Sequence, residues 1–404
     1  MLIVKKFGGS SVANAERVNH VAQQIAQDVD KGHKLVVVLS AQGKTTDQLL
    51  EKARELNPHP SKRELDMLLT TGEQQSVALM AMALERMGYK AISLNAFQVA
   101  MHTNRVYGSA RLKSIDKDRI RMELDQGKIV LVTGFQGINR YDDYTTLGRG
   151  GSDTTAVALA AALAADRCQI YTDVEGVYTA DPRYVSNARK LKEIGYDEML
   201  ELASTGAKVL HNRCVELARK YGVVIEVLSS MVEAPGTLVK EDSKVERMLI
   251  SGVAADKNVA RISIIGIKDE PGQAFRLFQR LANNNINVDI ILQSIGRDKT
   301  KDISFTVCKN DLEEALKIIE DHKEEIGATS ISYSDDVAKV SVVGAGMTSN
   351  PGIASRMFEA LYNAQINIQM ISTSEIKISV LIDNNDVDVA VKSIHDQFKL
   401  YQNN

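Results

Sequence analysis

The sequence holds 404 residues, 44% of them hydrophobic and 25% charged, enough for about two to four domains with sizeable cores. A formal net charge of −3 excludes the broad basic face that nucleic acid or an anionic membrane selects, so neither is expected as a partner and any anion site must be local. The three cysteines, Cys168, Cys214 and Cys308, are odd in number and far apart, which argues against a disulfide framework and fits a reducing cytoplasm. Neither they nor the histidines have metal-ligand spacing, so no metal ligands are expected from the protein. MLIVKKFGGSS is too short in apolar residues for a signal peptide, and no apolar run has transmembrane length.

Strands and helices alternate along the first part. LIVKKF reads as a short strand, GGSSV as a turn, and ANAERVNHVAQQIAQDV has helical spacing. KLVVVLS (34–40) is an unbroken β-branched run typical of a buried parallel strand. A long helix is expected from about Lys62 to Arg86, then strands at KAISLNA (90–96) and KIVLVTGF (128–135). GRGGSD and its helix follow, then the strand CQIYTDV (168–174). KEIGYDEMLELASTGA and KVLHNRCVELARKYG read as helices, and VVIEVLS (223–229) as a strand. This order predicts a three-layer α/β domain with a mostly parallel sheet, whose ligands bind at the carboxyl ends of the strands.

The charged segment VKEDSKVERM (239–248) reads as a linker or an exposed helix, and beyond it the sequence repeats. RISIIGIKDEPGQAFRLFQRLANNNINVDIILQS (261–294) aligns with KVSVVGAGMTSNPGIASRMFEALYNAQINIQMISTS (339–374), and ISFTVCKNDLEEALKII (303–319) with ISVLIDNNDVDVAVKSI (378–394). Each copy reads β-α-β-β-α, a ferredoxin-like pattern in tandem.

Several stretches of the first part carry chemistry. KFGGSS (6–11) puts Lys6 at a buried strand end before two glycines, suiting a phosphate-contacting cation beside a backbone cradle. Its ordinary reading is a turn with a surface lysine. Neither P-loop nor dinucleotide glycine spacing is present. SAQGKTTD (40–47) is a second small-residue turn, offering hydroxyls at Ser40, Thr45 and Thr46, or else a plain βα loop. Glu73, in TTGEQQS, could meet an ammonium group, although a lone helical glutamate is ordinarily solvated. TTLGRGGSDTTA (145–156) surrounds Arg149 with glycines ahead of an alanine-rich helix. Bare backbone at a helix start, with a guanidinium, suits a carboxylate or phosphate. A loop capped by Ser152 or Asp153, with Arg149 solvated, is the alternative. YTDVEGVYTADPR (171–183) reads as a nucleotide loop or a polar surface loop, and Lys208 as a second cation or an exposed lysine.

Taken in order, KFGGSS, SAQGKTTD, TTGEQQS, GFQG, TTLGRGGSDTTA, YTDVEGVYTADPR and AKVLH resemble the aspartate kinases of the amino-acid kinase superfamily, over essentially the whole chain. The tandem repeat resembles their regulatory pair of ACT domains. Ser10 stands where many members carry threonine. The resemblance implies an amino-acid kinase domain over residues 1–240, a linker and strand over 241–255, and ACT domains over 256–335 and 336–404. The extra strand LISGVA (249–254) is expected to join the sheet of the second repeat. The implied reaction transfers the ATP γ-phosphoryl group to the side-chain carboxylate of L-aspartate, with Mg²⁺ bridging phosphates.

By the same resemblance Lys6, Gly8, Gly9 and Asp153 are catalytic. Ser40, Thr45, Glu73, Arg149, Gly150 and Ser152 bind aspartate. Lys6, Ser10, Thr172, Asp173, Tyr178, Asp181, Arg183 and Lys208 hold ATP. Lysine or threonine is implied as effector at Asp269, Gly272, Gln273, Ala274, Asn287, Asp289 and Gln293 of the first repeat. Met347, Asn350, Gly352, Ile353, Asn367 and Ile368 are implied in the second. Such sites imply at least a homodimer. A sister kinase of the superfamily and a non-catalytic amino-acid sensor are the rival readings.

Overall fold

The β-branched runs behave as their composition demands. Leu2–Phe7 and Lys34–Leu39 become neighbouring parallel inner strands, buried on both faces. In this computed structural model the described residues are 1–206, 209–241, 250–294, 300–345, 347 and 350–402. Most of the expected linker therefore lies outside them. The described chain groups into two units, the first made of Met1–Val177, Lys190–Ser204 and Lys208–Lys244.

The eight-stranded sheet of this unit runs Glu193–Gly195, Thr237–Lys240, Ile225–Ser229, Arg167–Thr172, Leu2–Phe7, Lys34–Leu39, Ile129–Thr133, Ala91–Leu94. Its pairings are parallel except that between Ile225–Ser229 and Thr237–Lys240. One face carries the helices Ala15–Asp30 and Lys62–Arg86, which bury Val21, Ile25, Met80 and Leu84 against Ile3, Phe7, Val37 and Leu131. Asn14 and Ser61 cap them by accepting from Arg17 N and Glu64 N. The helix Gly151–Leu163 packs on Leu2–Phe7 and on the helix Asn212–Tyr221. Nearly all its residues are buried, as a helix without a polar face requires.

The structure departs from the sequence reading in several features, among them the helices Thr45–Leu56 and Asp118–Asp125, which the sequence reading does not contain. KEIGYDEMLELASTGA begins as the strand Glu193–Gly195 and coils only over Tyr196–Ser204, because Thr237–Lys240 supplies backbone partners from far along the chain. A second sheet, of His102–Thr103, Leu112–Ser114, Gln136–Ile138 and Tyr144–Thr146, was not expected at all. Strands of two or three residues are too short for periodicity to reveal.

The second unit comprises Tyr178–Arg189, Thr205–Ala207 and Val245–Asn404. Its six-stranded sheet runs Val288–Gln293, Thr300–Cys308, Gly252–Lys268, Ser330–Val343, Lys377–Asp383, Met370–Thr373, antiparallel throughout. The two long central strands serve both repeats. Gly252–Asp256 pairs with Lys339–Val343 of the second repeat, and Val259–Ile265 with Ser330–Val337 ahead of it. The repeats agree in backbone detail. Gly272 at φ 96° and Gly352 at φ 97° start the helices Gln273–Asn283 and Ile353–Asn363, and Asn285 and Gln365 take left-handed φ after them. The segment 178–189 belongs to this unit's core. Ala180 and Val185 share a buried cluster with Val340, Val380 and Ile394, and Thr179 Oγ1 lies 3.0 Å from His395 Nε2. No described helix is long and apolar enough to cross a membrane.

Candidate active site

Side-chain alternation along Leu2–Phe7 sends its two lysines to opposite faces of the sheet. Lys5, 2% exposed, pairs with Asp28 on the helix Ala15–Asp30. Burial lowers its pKa, with the hydrogen bond and charge of Asp28 opposing. Lys6 turns toward the start of the helix Gly151–Leu163, its Nζ 2.7 Å from Asp153 Oδ1.

Around that pair, Lys6, Gly8, Gly9, Ser40, Glu73, Arg149, Gly150, Ser152 and Asp153 line one cleft of about 790 Å³. Ser40 donates to Ser152 Oγ at 3.0 Å, joining the loop after the strand Lys34–Leu39 to the first turn of the helix Gly151–Leu163. A Cβ on Gly9 would lie 2.5 Å from the Ala41 carbonyl oxygen, so only glycine allows this backbone approach. Gly150 takes φ 66°, with its α-carbon against the His211 ring. The helix N-terminus at Gly151 and the guanidinium of Arg149 thus share a wall with bare backbone, an arrangement suited to anions.

Glu73 is the unusual member. It is 3% exposed, and one carboxylate oxygen accepts from Ala41 N at 3.2 Å. Its Oε2 has no hydrogen-bond partner among the described residues, the Gln136 amide being turned to the Thr70 carbonyl. Burial pushes its pKa up to about 7, against the hydrogen bonds it accepts. An ionised form in this cleft calls for a cation.

The remaining expected residues fall elsewhere. Thr45 Oγ1 donates to the Gln42 carbonyl at 2.7 Å, while its neighbours Thr46 and Asp47 line the cleft. Ser10 is exposed, its carbonyl accepting from Arg17. Thr172 ends the strand beside the one bearing Lys6, Asp173 follows it, and Thr172 donates to Asp173 at 3.0 Å. Tyr178, Asp181 and Arg183 lie in the 178–189 segment of the second unit, where Arg183 Nε lies 3.0 Å from each Asp181 oxygen. Lys208 lies outside the described residues.

In the repeats Asp269 pairs with Lys301 at 2.7 Å, and Asp289 with the buried Lys339. Gln273 is buried, with Oε1 lacking a partner among the described residues, and Ala274 packs on the first repeat's core. Asn287, Gln293 and Asn367 are exposed, Ile353 is buried, and Met347 and Ile368 pack against the second repeat's core. Gly272 and Gly352 cap their helices, and Asn350 lies just ahead of the second.

Sequence reasoning missed Asp66, Tyr107, Gly108 and Phe135, which also line the cleft, and the supporting His211 and Arg213. The available signals were the motifs GFQG and AKVLH, which contain Phe135 and His211, and Asp66, a carboxylate inside the apolar run LDMLL.

Two family descriptions match the chain: the amino acid kinase family over residues 1–229, and the ACT domain over residues 262–322 and 340–398. The aspartokinase of Geobacillus stearothermophilus is 51% identical over 400 residues, 99% of this chain and 97% of that protein. The chain belongs to the aspartokinase family. Aspartokinase 2 of Bacillus subtilis is 48% identical, covering 99% of this chain and 98% of its own. The crystal structure of E. coli aspartokinase III with aspartate and ADP superimposes with a TM-score of 0.84 at 26% identity, over 98% of this chain and 99% of that one. As a member of this family the chain is a kinase, with an amino acid kinase fold followed by two ACT domains.

Proposed function

We propose that this cleft transfers the γ-phosphoryl group of ATP to the side-chain carboxylate of L-aspartate, giving 4-phospho-L-aspartate. The observation that carries the reading is Glu73, a buried carboxylate with an unpartnered oxygen in the cleft that also holds Arg149. The Arg149 guanidinium and the Glu73 carboxylate, in a single cleft, fit the two charged ends of an α-amino acid. Arg149 clamps the α-carboxylate through its planar fork and Glu73 receives the ammonium. Ser40 and Ser152 contact substrate carboxylates, with Gly150 giving close backbone approach.

Phosphoryl transfer needs alignment and charge neutralisation more than covalent help. Lys6 stabilises charge on the transferring group, Gly8 and Gly9 offer N–H groups, and Asp153 holds the lysine in place. The Gly9 approach that a Cβ would block fits a phosphate cradle. Mg²⁺ would be held mostly by phosphates and water, and would neutralise phosphate charge. Thr172, Asp173, Tyr178, Asp181, Arg183, Ser10 and Lys208 hold the rest of ATP.

The ACT repeats bind lysine or threonine as feedback effectors, between paired domains of at least a homodimer, in the cytoplasm. E. coli aspartokinase III, 26% identical, has been solved with lysine and aspartate, which supports the lysine half. The test is ADP release with MgATP and L-aspartate, with and without lysine plus threonine. Aspartate-dependent turnover that falls with the effectors is expected. Turnover on glutamate or another acid in preference to aspartate would overturn the substrate assignment.

Glu73 also makes aspartate binding pH-dependent. Its pKa of about 7 exceeds the ordinary carboxylate value, so the folded, empty protein binds more protons than the unfolded chain between about pH 4.5 and 7. Stability from this group is present below that window and lost as pH rises through it. The ammonium of aspartate selects the ionised form, so KM for aspartate should fall about tenfold from pH 6 to pH 8. Glu73→Gln should flatten that profile and raise KM at pH 8 by about ten- to a hundredfold. A wild-type KM that is constant across this range would remove Glu73 from the ammonium site.

A further inference from the structure

We propose that Arg213 and Asp66 are positioning residues that lock two walls of the substrate cleft together and so set which acid it accepts. This rests on Arg149 being the anchor for the α-carboxylate. One wall is the Thr146–Gly151 loop that carries Arg149. The other is the Tyr107–Ala110 stretch, whose Tyr107, Gly108 and Ser109 line the same cleft.

Three links join the walls. The first is a backbone bond, Ala110 N to Thr146 O at 2.8 Å. Arg213, in the first turn of the helix Asn212–Tyr221, makes the second. It donates from Nη1 to the Leu147 carbonyl and from Nη2 to the Ala110 carbonyl at 2.8 Å. Asp66, on the helix Lys62–Arg86 and 1% exposed, makes the third. It accepts from Gly108 N at 2.9 Å, Thr146 N at 3.0 Å and Thr146 Oγ1 at 2.7 Å.

Both side chains are used in a way that folding alone does not require. Asp66 is a carboxylate taken out of water and Arg213 is half-buried; in these bonds each meets neutral polar partners rather than an opposite charge, so their burial is a cost rather than a source of stability. Each spends its bonding on the same two walls. The guanidinium fork reaches two carbonyls at a fixed separation, which a lysine ammonium on one flexible stem does not reproduce. The walls already meet closely, since a Cβ on Gly148 would sit 3.1 Å from Gly108 O. Locking them fixes where Arg149 stands relative to Lys6. That distance distinguishes aspartate from an acid one methylene longer.

Arg213→Lys and Asp66→Asn in the full-length chain test this, by steady-state ADP release with aspartate and with glutamate. KM for aspartate should rise about tenfold, with KM for ATP within about twofold and aspartate-over-glutamate selectivity reduced about tenfold. A purely structural role would raise both KM values together, or lower kcat and the melting temperature with KM for aspartate unmoved, and either result overturns the proposal. Arg149→Ala in the same series separates the two layers. If it leaves KM for aspartate unchanged, the anchor assignment fails. If it raises KM while Arg213→Lys does not, the anchor stands and the clamp fails. Should Arg213→Lys not fold, Asp66→Asn reports on the same pair of walls by the same criteria.

Discussion

Lys6→Met lowers kcat by about 10²–10³-fold while KM for aspartate stays within a few-fold. A fixed cation aimed at developing charge acts mainly in the transition state, so its loss appears in kcat rather than in ground-state binding. The geometry gives Lys6 that fixed position. It ends a buried parallel strand, its ammonium stands 2.7 Å from Asp153 Oδ1, and each side chain is only 12% exposed. Methionine matches the stem and removes the charge. The neighbouring Lys5→Met supplies the control, because Lys5 points to the other face and pairs with Asp28. It should lower the melting temperature and leave kcat in place. Steady-state kinetics and thermal melts on both variants decide the matter. A kcat within about threefold of wild type for Lys6→Met would take this lysine out of phosphoryl transfer.

Gly150→Ala should cut kcat/KM for aspartate by about a hundredfold or more. The residue sits at φ 66°, a conformation that costs a non-glycine side chain about 1–3 kcal/mol. An added Cβ would also lie 2.2 Å from His211 Cβ and 2.4 Å from its Cγ, so the loop must move. Arg149 moves with it, and a shift of about 1 Å in a positioning group costs about a hundredfold. The clash predicts its own rescue. His211→Ala keeps the offending Cβ and should not help, whereas His211→Gly in the Gly150→Ala background should recover part of the loss. Gly127→Ala isolates the backbone term, since Gly127 has φ 73° and nothing within 4 Å of its added Cβ. That variant should lose about 1 kcal/mol of stability and keep wild-type kinetics. Equal kinetic losses in the Gly127 and Gly150 variants would mean that the His211 contact does not position Arg149.

Much of the cleft could be read in advance because its chemistry is local in sequence. A buried strand followed at once by Gly-Gly puts Lys6 beside bare backbone, and three glycines with one arginine before a helix announce an anion site. Glu73 was the harder case. Its motif marked it, but its meaning came from burial and from an Oε2 without a partner. Asp66 and Arg213 carried almost no local mark, because the groups they hold, Thr146 and Leu147, come from distant parts of the chain. The small side sheet was unreadable for a related reason. Two- and three-residue strands exist only through their partners.

From the sequence alone follow the alternating α/β unit, the tandem ferredoxin-like repeats, the family and the residues around Lys6 and Arg149. Periodicity and glycine-rich turns act over a few residues, so they are written where they act. Three things were decided only by the tertiary structure. One is the side sheet of His102–Thr103, Leu112–Ser114, Gln136–Ile138 and Tyr144–Thr146, whereas the pairing of the strand ahead of the first repeat with Lys339–Val343 of the second was expected from the sequence. Another is that the segment 178–189 is buried with the second repeat's core rather than with the strand that precedes it. The last is the clamp of Asp66 and Arg213 on two cleft walls. The reason is common to all three: strand partners, buried neighbours and acceptors for buried charges are set by what lies alongside in space, and no short-range pattern encodes that.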